Sequence, residues 1–244
     1  NRYTQEAWQL DPADSLVLLN KALSAYFLEY ELEKAQSYFE RAQQKNPSDV
    51  MVLEWFQSFL INTGQFEQAK LTNQKMRDVS PLLFNKTAYY DILYLSGDFN
   101  GALSEIESVN PYMNSELWAS AASSWVYLAK GEPKQFASHF VPVLQRFNVV
   151  PSQIESFQQT LSAQGIEAAI ALVLEFTEGS LDDYSKAELL AYIGASDKAL
   201  SIIEKKVKNR EIQMFRLEQE PLFRSLHDEP KFQVLLNNLY KPVR

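Results

Sequence analysis

The sequence predicts an all-α chain of stacked helical hairpins, and three observations carry that prediction. First, one pattern occurs twice: Tyr26, Leu32, Ala35, Phe39, Ala42 and Pro47 are matched in register by Leu60, Phe66, Ala69, Asn73, Met76 and Pro81, an offset of 34 residues. A period of about 34 residues suits a repeated helix–turn–helix unit. Second, Gly64, Gly97, Gly131, Gly165 and Gly194 fall 33, 34, 34 and 29 residues apart, where hairpins must turn and glycine reaches left-handed angles freely. Third, apolar residues recur at helical spacing, as in Leu16, Leu19, Leu23, Tyr26 and Phe27.

Taken in order, residues 1–10 predict a short lead-in helix ended by Asp11-Pro12. Asp14 or Ser15 then supplies a side-chain oxygen to cap the next helix. Six hairpins follow at 13–46, 48–79, 81–109, 112–148, 151–179 and 182–209. The small Ala35, Ala69, Ala102 and Ala199 let paired helices approach, and Pro47 and Pro81 end second helices because proline lacks the amide to continue them.

The later hairpins are less regular. Pro81 and Pro111 are only 30 residues apart, which predicts a short helix over 100–109. Pro142 should break or kink the second helix of the fourth hairpin. Residues 147–151 read as extended and as a bend between two parts: 1–148, with regular repeats, and 149–244, with degenerate repeats and a cap, together one continuous solenoid. In the tail, Pro221 and Pro230 each stand where a first helical turn tolerates proline. Two short helices there, carrying Phe223, Leu226, Phe232 and Leu235, would cover the last hairpin, as terminal repeats require.

The residues quoted from Tyr26 to Pro81 resemble tetratricopeptide repeats, and Gly97, Phe99 and Ala102 continue the likeness. The resemblance implies a right-handed superhelix whose first helices line a concave groove. Leu23 departs from it, standing where the family prefers glycine or alanine, which predicts altered packing. The tail around Pro221, Phe223, Leu226, Pro230, Phe232 and Leu235 is similar to the ending of repeat regions in bacterial winged-helix regulators. That second likeness implies the sensor or interaction half of such a regulator.

Composition narrows the function classes. The chain has 244 residues, 46% of them hydrophobic, with 15 Phe, 12 Tyr and 4 Trp, ample for a long helical core. Lys and Arg number 23 against 31 Asp and Glu, a net charge of −8. An acidic surface repels phosphate backbones, so no direct nucleic-acid binding by this segment is expected. With no cysteine, disulfides and thiolate chemistry are excluded. The longest uncharged apolar run near the middle, 168–174, is far short of the ~20 residues a spanning helix needs, so no membrane insertion is expected. The chain begins at Asn1 rather than Met, which suggests a piece of a longer protein whose decisive part lies upstream, with a periplasmic and a cytoplasmic setting both open.

No catalytic, cofactor or metal site is legible. His139 and His227 are isolated in sequence and fit no ligand spacing, and neither a phosphate loop nor a nucleophile elbow occurs. The acidic pairs Asp182-Asp183 and Glu218/Glu220 read as helix-start charges and solvated turns. No enzyme is expected.

Transferring the family's groove by register assigns Asn20, Ser24, Glu54, Ser58, Phe84, Thr87, Asp91, Tyr94, Trp118 and Trp125 to a partner-binding surface, with Phe27, Met51, Asn62 and Ala121 beside them. Trp118 and Trp125 are two helical turns apart and share a face. The aromatics would receive apolar side chains, with Asp91 and Glu54 meeting a basic group. Chaperone-binding members clamp a terminal carboxylate with basic residues, which this groove lacks. The leading reading is a protein- or peptide-binding regulatory domain, able to pair with a second copy. The alternatives are a free-standing scaffold and a small-molecule sensor with a pocket near Phe136, His139, Phe140 and Pro142.

Overall fold

The computed structural model describes residues 14–81, 87–113 and 116–239. The expected lead-in helix over 1–10 and Phe84 lie outside them. Within them the chain is all-α, with no strand, and its helices pair as hairpins in chain order.

The first hairpin joins α1 (Ser15–Ser24), which widens into a π turn at Ala25–Glu29, to α2 (Leu32–Lys45). Of the two candidate caps, Asp14 serves: its carboxylate accepts from the amides of Leu16 and Val17 at 2.9 and 3.1 Å. The π turn begins two residues after Leu23, where altered packing was expected. The second hairpin pairs α3 (Val50–Asn62), capped by Asp49, with α4 (Phe66–Val79). At the third expected hairpin α5 (Ala88–Leu95) is followed by α6 (Phe99–Met113), and the fourth pairs α7 (Glu116–Ala129) with α8 (Pro133–Arg146). The fifth and sixth pair α9 (Pro151–Gln164) with α10 (Ile166–Phe176), and α11 (Asp183–Tyr192) with α12 (Ser196–Lys208).

The turn residues confirm the register. Gly64 has φ 73°, and Tyr30, its counterpart one repeat earlier, has φ 60°. The backbone therefore needs a left-handed residue at that position, even where the side chain costs about 1–2 kcal/mol to place there. Ala35, Ala69, Ala102 and Ala199 are all fully buried.

Two helices continue through prolines that were expected to shorten or break them. The helix predicted to be short over 100–109 is α6, which spans 15 residues and passes through Pro111. The short helix of the two is α5, with 8 residues. Likewise α8 runs unbroken through Pro142. Pro142 is exposed while Phe136, Phe140, Val143 and Leu144 on the same helix are buried, so core packing outweighs one missing amide. At 147–150, Asn148 takes φ 58° and Val150 is extended, its amide donating to the Gln153 side chain.

The tail folds as two 3₁₀ segments, Ile212–Arg216 and Pro221–Leu226, followed by α13 (Pro230–Leu239). Pro221 sits in the first turn of its segment, as expected, and α13 begins at Pro230. The stretch between them, with the preceding 3₁₀ turn, forms the cap: Phe223 meets Tyr184 of α11 edge-on at 5.6 Å, and Ser225 Oγ donates to the Ala191 carbonyl.

Two compact units divide the chain. Of the described residues, 14–81, 87–92 and 236–239 belong to unit 1, and 93–113 and 116–235 to unit 2, the boundary falling inside α5. In unit 1, Phe39 stacks on Phe56 at 5.4 Å, and Tyr26 meets Phe59 edge-on at 5.1 Å. In unit 2, Leu128, Phe136, Phe140, Phe157 and Ile170 form the centre of the core.

Candidate functional site: a half-exposed face in unit 1 and a buried acidic cluster in unit 2

In unit 1, α1 and α3 lie side by side. Tyr26 and Phe27 reach Phe59 and Trp55, and Ser15 Oγ approaches Asp49. Of the residues assigned to the groove by register, Asn20 and Ser24 stand on α1, and Glu54 and Ser58 on α3. Asn20 is exposed and donates to the Leu16 carbonyl at 2.9 Å. Ser24 Oγ donates to Glu29 at 3.1 Å, and Glu54 is exposed. Hydrogen bonding from Lys34 holds the Glu29 carboxyl below its ordinary range, so it is charged at neutral pH.

The apolar part of this face is larger than sequence register suggests. Glu54 is the single charged residue among the 13 of α3, yet Met51 is 54% exposed and Trp55 38%. Trp55 stands edge-on to Phe27 at 5.9 Å. Register counting places Trp55 next to the core residue Phe56 and so passes over it. The clue was available: an α-helix with one charge has more apolar residues than a single buried stripe can hold. Thr87 and Asp91, also in unit 1, are half-buried, and the Asp91 amide donates to the Thr87 carbonyl.

The remaining expected residues belong to unit 2. Trp118 is half-buried on α7. Tyr94 departs from an exposed position: it is 2% exposed, and its hydroxyl donates to Glu220 Oε1 at 2.7 Å. Trp125 is half-buried, packs on Phe140 at 5.5 Å, and donates its indole N–H to Glu188 Oε2 at 2.6 Å.

Those two acceptors form a cluster that sequence reading missed. Glu220, expected in a solvated turn, is wholly buried, and Glu188 is 3% exposed. Glu220 Oε2 lies 3.5 Å from both the Tyr184 hydroxyl and Arg216 Nη2. The cap carries Glu220 inward by folding back on α11, a tertiary event with no local signature. Burial, and next the charge of Glu220, push the Glu188 carboxyl well above the usual range, while the Trp125 bond and Arg216 oppose the rise. Burial, with Glu220 beside it, likewise raises the Tyr184 hydroxyl. The other reading of the acidic pairs holds at Asp182, which caps α11 through the amides of Tyr184 and Ser185.

The histidines lie apart from this cluster's contacts. His139 is half-buried and stacks on Tyr127 at 5.1 Å, and His227 stacks on Phe232 at 5.3 Å. Phe136 and Phe140, in the region suggested for a small-molecule pocket, are fully buried and stacked at 4.9 Å. Among the described residues, no group of three or more His, Asp or Glu could hold a metal ion. Nor is any described helix long and apolar enough to cross a membrane.

No family model matches the chain, and no curated protein does. Among solved structures it is similar to the crystal structure of YrrB, a TPR protein with an unusual peptide-binding site. The identity is 18% and the TM-score 0.43, with 88% of this chain and 96% of that chain covered.

Proposed function

We propose that the chain is a protein- or peptide-binding module, and that unit 1 binds its partner on the α1/α3 face. The observation that carries this reading is the exposure of Met51 and Trp55 beside Phe27 on a helix with one charge. An apolar patch rimmed by polar groups is what an association site requires, and a half-buried tryptophan is the residue type most often central to binding energy. Asn20, Ser24, Glu54 and Ser58 form the polar surround, and Thr87 and Asp91 extend the set. Glu54 and the charged Glu29 favour a partner segment bearing a cation beside its apolar anchor.

The test is a random peptide library screened against the purified chain and its Trp55→Ala variant. Selected peptides should be apolar with adjacent Lys or Arg, and the variant should bind them at least ~10-fold more weakly, a loss of about 1.4 kcal/mol or more. Its melting temperature should stay near that of the parent. Equal binding by the variant, or no selectable peptide, overturns the assignment.

The wider setting we infer is the interaction half of a transcriptional regulator. The cap formed around Pro221 and Pro230, the tail pattern that resembles such regulators, supports it. A full-length product with a winged-helix segment before Asn1 is the expected result. A secretory signal alone in that place overturns it.

A further inference from the structure

In unit 2 the cap reaches the helices beneath it through the buried Glu220, and a second buried carboxylate, Glu188, stands one helical turn from Tyr184 on α11. Glu220 is the hub: Tyr94 of α5 donates to one oxygen, while Tyr184 of α11 and Arg216 of the cap approach the other. Glu188 of α11 is reached by the Trp125 indole of α7. If both carboxylates were ionised, their two negative charges would face a single cation in a buried site, which is costly. One proton balances the cluster.

We propose that this cluster is a proton-operated latch: with Glu188 protonated, the segment 212–226 is locked onto α11, and loss of that proton loosens it. The upward displacement of the Glu188 carboxyl agrees with this balance. The groups acting on Glu188 come from each side. Glu220 and Arg216 belong to the cap, Trp125 to α7, and Asp182 to the start of its own helix. The neighbouring α12 cations are engaged elsewhere, Lys206 with Glu211 and Lys205 near Asp183. On α10, Glu167 acts on Tyr192. The charge balance of the latch therefore rests on Glu188, Glu220 and Arg216. Because Trp125 bonds to Glu188, the latch state reaches α7 as well as the cap. This device is independent of the α1/α3 binding face and of whatever binds there.

The test is amide hydrogen exchange from pH 5 to pH 9, corrected for the intrinsic base-catalysed rate, on the whole chain. Protection of 212–226 should fall by up to about tenfold per pH unit across the range in which Glu188 stays protonated in the locked form but ionises in the loosened one. Protection of α2 and α4 should not follow it. Glu188→Gln keeps an oxygen for Trp125 and cannot ionise, so its cap protection should be flat with pH. Glu220→Gln removes the second carboxylate but leaves Glu188 buried, so the fall in protection with pH should shrink without vanishing. An unchanged pH profile in Glu188→Gln overturns the latch, as does equal loss of protection in α2 and α4. If Glu188→Gln does not fold by far-ultraviolet circular dichroism, Glu220→Gln decides by the same criterion.

Discussion

The hydroxyl of Tyr94 donates to Glu220 Oε1 at 2.7 Å across 126 residues of sequence. It ties the end of α5, where unit 2 begins, to a carboxylate in the cap. Both residues are buried, so Glu220 cannot turn to water if the donor is removed.

Tyr94→Phe removes that donor and little else. A hydrogen bond to a buried charged group contributes about 1.5–3 kcal/mol, and the variant should lose stability in that range. Urea unfolding at neutral pH, followed by circular dichroism, measures it. A loss below ~0.5 kcal/mol would mean that Glu220 finds an alternative donor.

Stability should respond to pH with opposite signs at the two limbs. The exposed Glu204 carboxyl is held down to about 2 by Lys208 and Lys231, and Glu29 is lowered by Lys34. Their contributions are present above the ordinary value of 4.5 and are lost as pH falls through the lower folded values. Glu188 runs the other way. Its folded value is raised, so its contribution is complete below 4.5 and is lost as pH rises toward the folded value. The slope across that upper window approaches ~1.4 kcal/mol per pH unit for one proton. Glu188→Gln should therefore be more stable than the parent at pH 8 while keeping the parent's acid limb. Urea midpoints measured at several pH values check both statements.

Pro142→Ala should stabilise the chain. Pro142 is exposed within the continuous helix α8, where proline costs up to ~3 kcal/mol relative to alanine. Since the surrounding helix already accommodates the ring, a gain of about 1–2 kcal/mol is expected. Thermal unfolding reads it as a rise in midpoint of a few degrees.

The hairpins were legible because their signals are local. A left-handed turn selects glycine at Gly64 or tolerates Tyr30, a close helix pair selects Ala35 and Ala69, and both recur with the repeat. Asp14, Asp49 and Asp182 cap their helices for equally local reasons. Proline rules misled where packing competed with them: α6 and α8 continue through Pro111 and Pro142. On the proposed binding face, register points to Asn20, Ser24, Glu54 and Ser58 but passes over Trp55, which meets Phe27 edge-on.

By itself, then, the sequence determined the helical hairpins, their turns and their caps, because each depends on residues a few positions apart and on a period that repeats. Only the tertiary structure decided that the units divide within α5, that Trp55 remains half-exposed, and that Glu188 and Glu220 are both buried. The Trp55 face and the acidic cluster arise where segments distant in sequence meet. There burial and mutual charge, rather than local propensity, set which groups stay dry and which keep a proton.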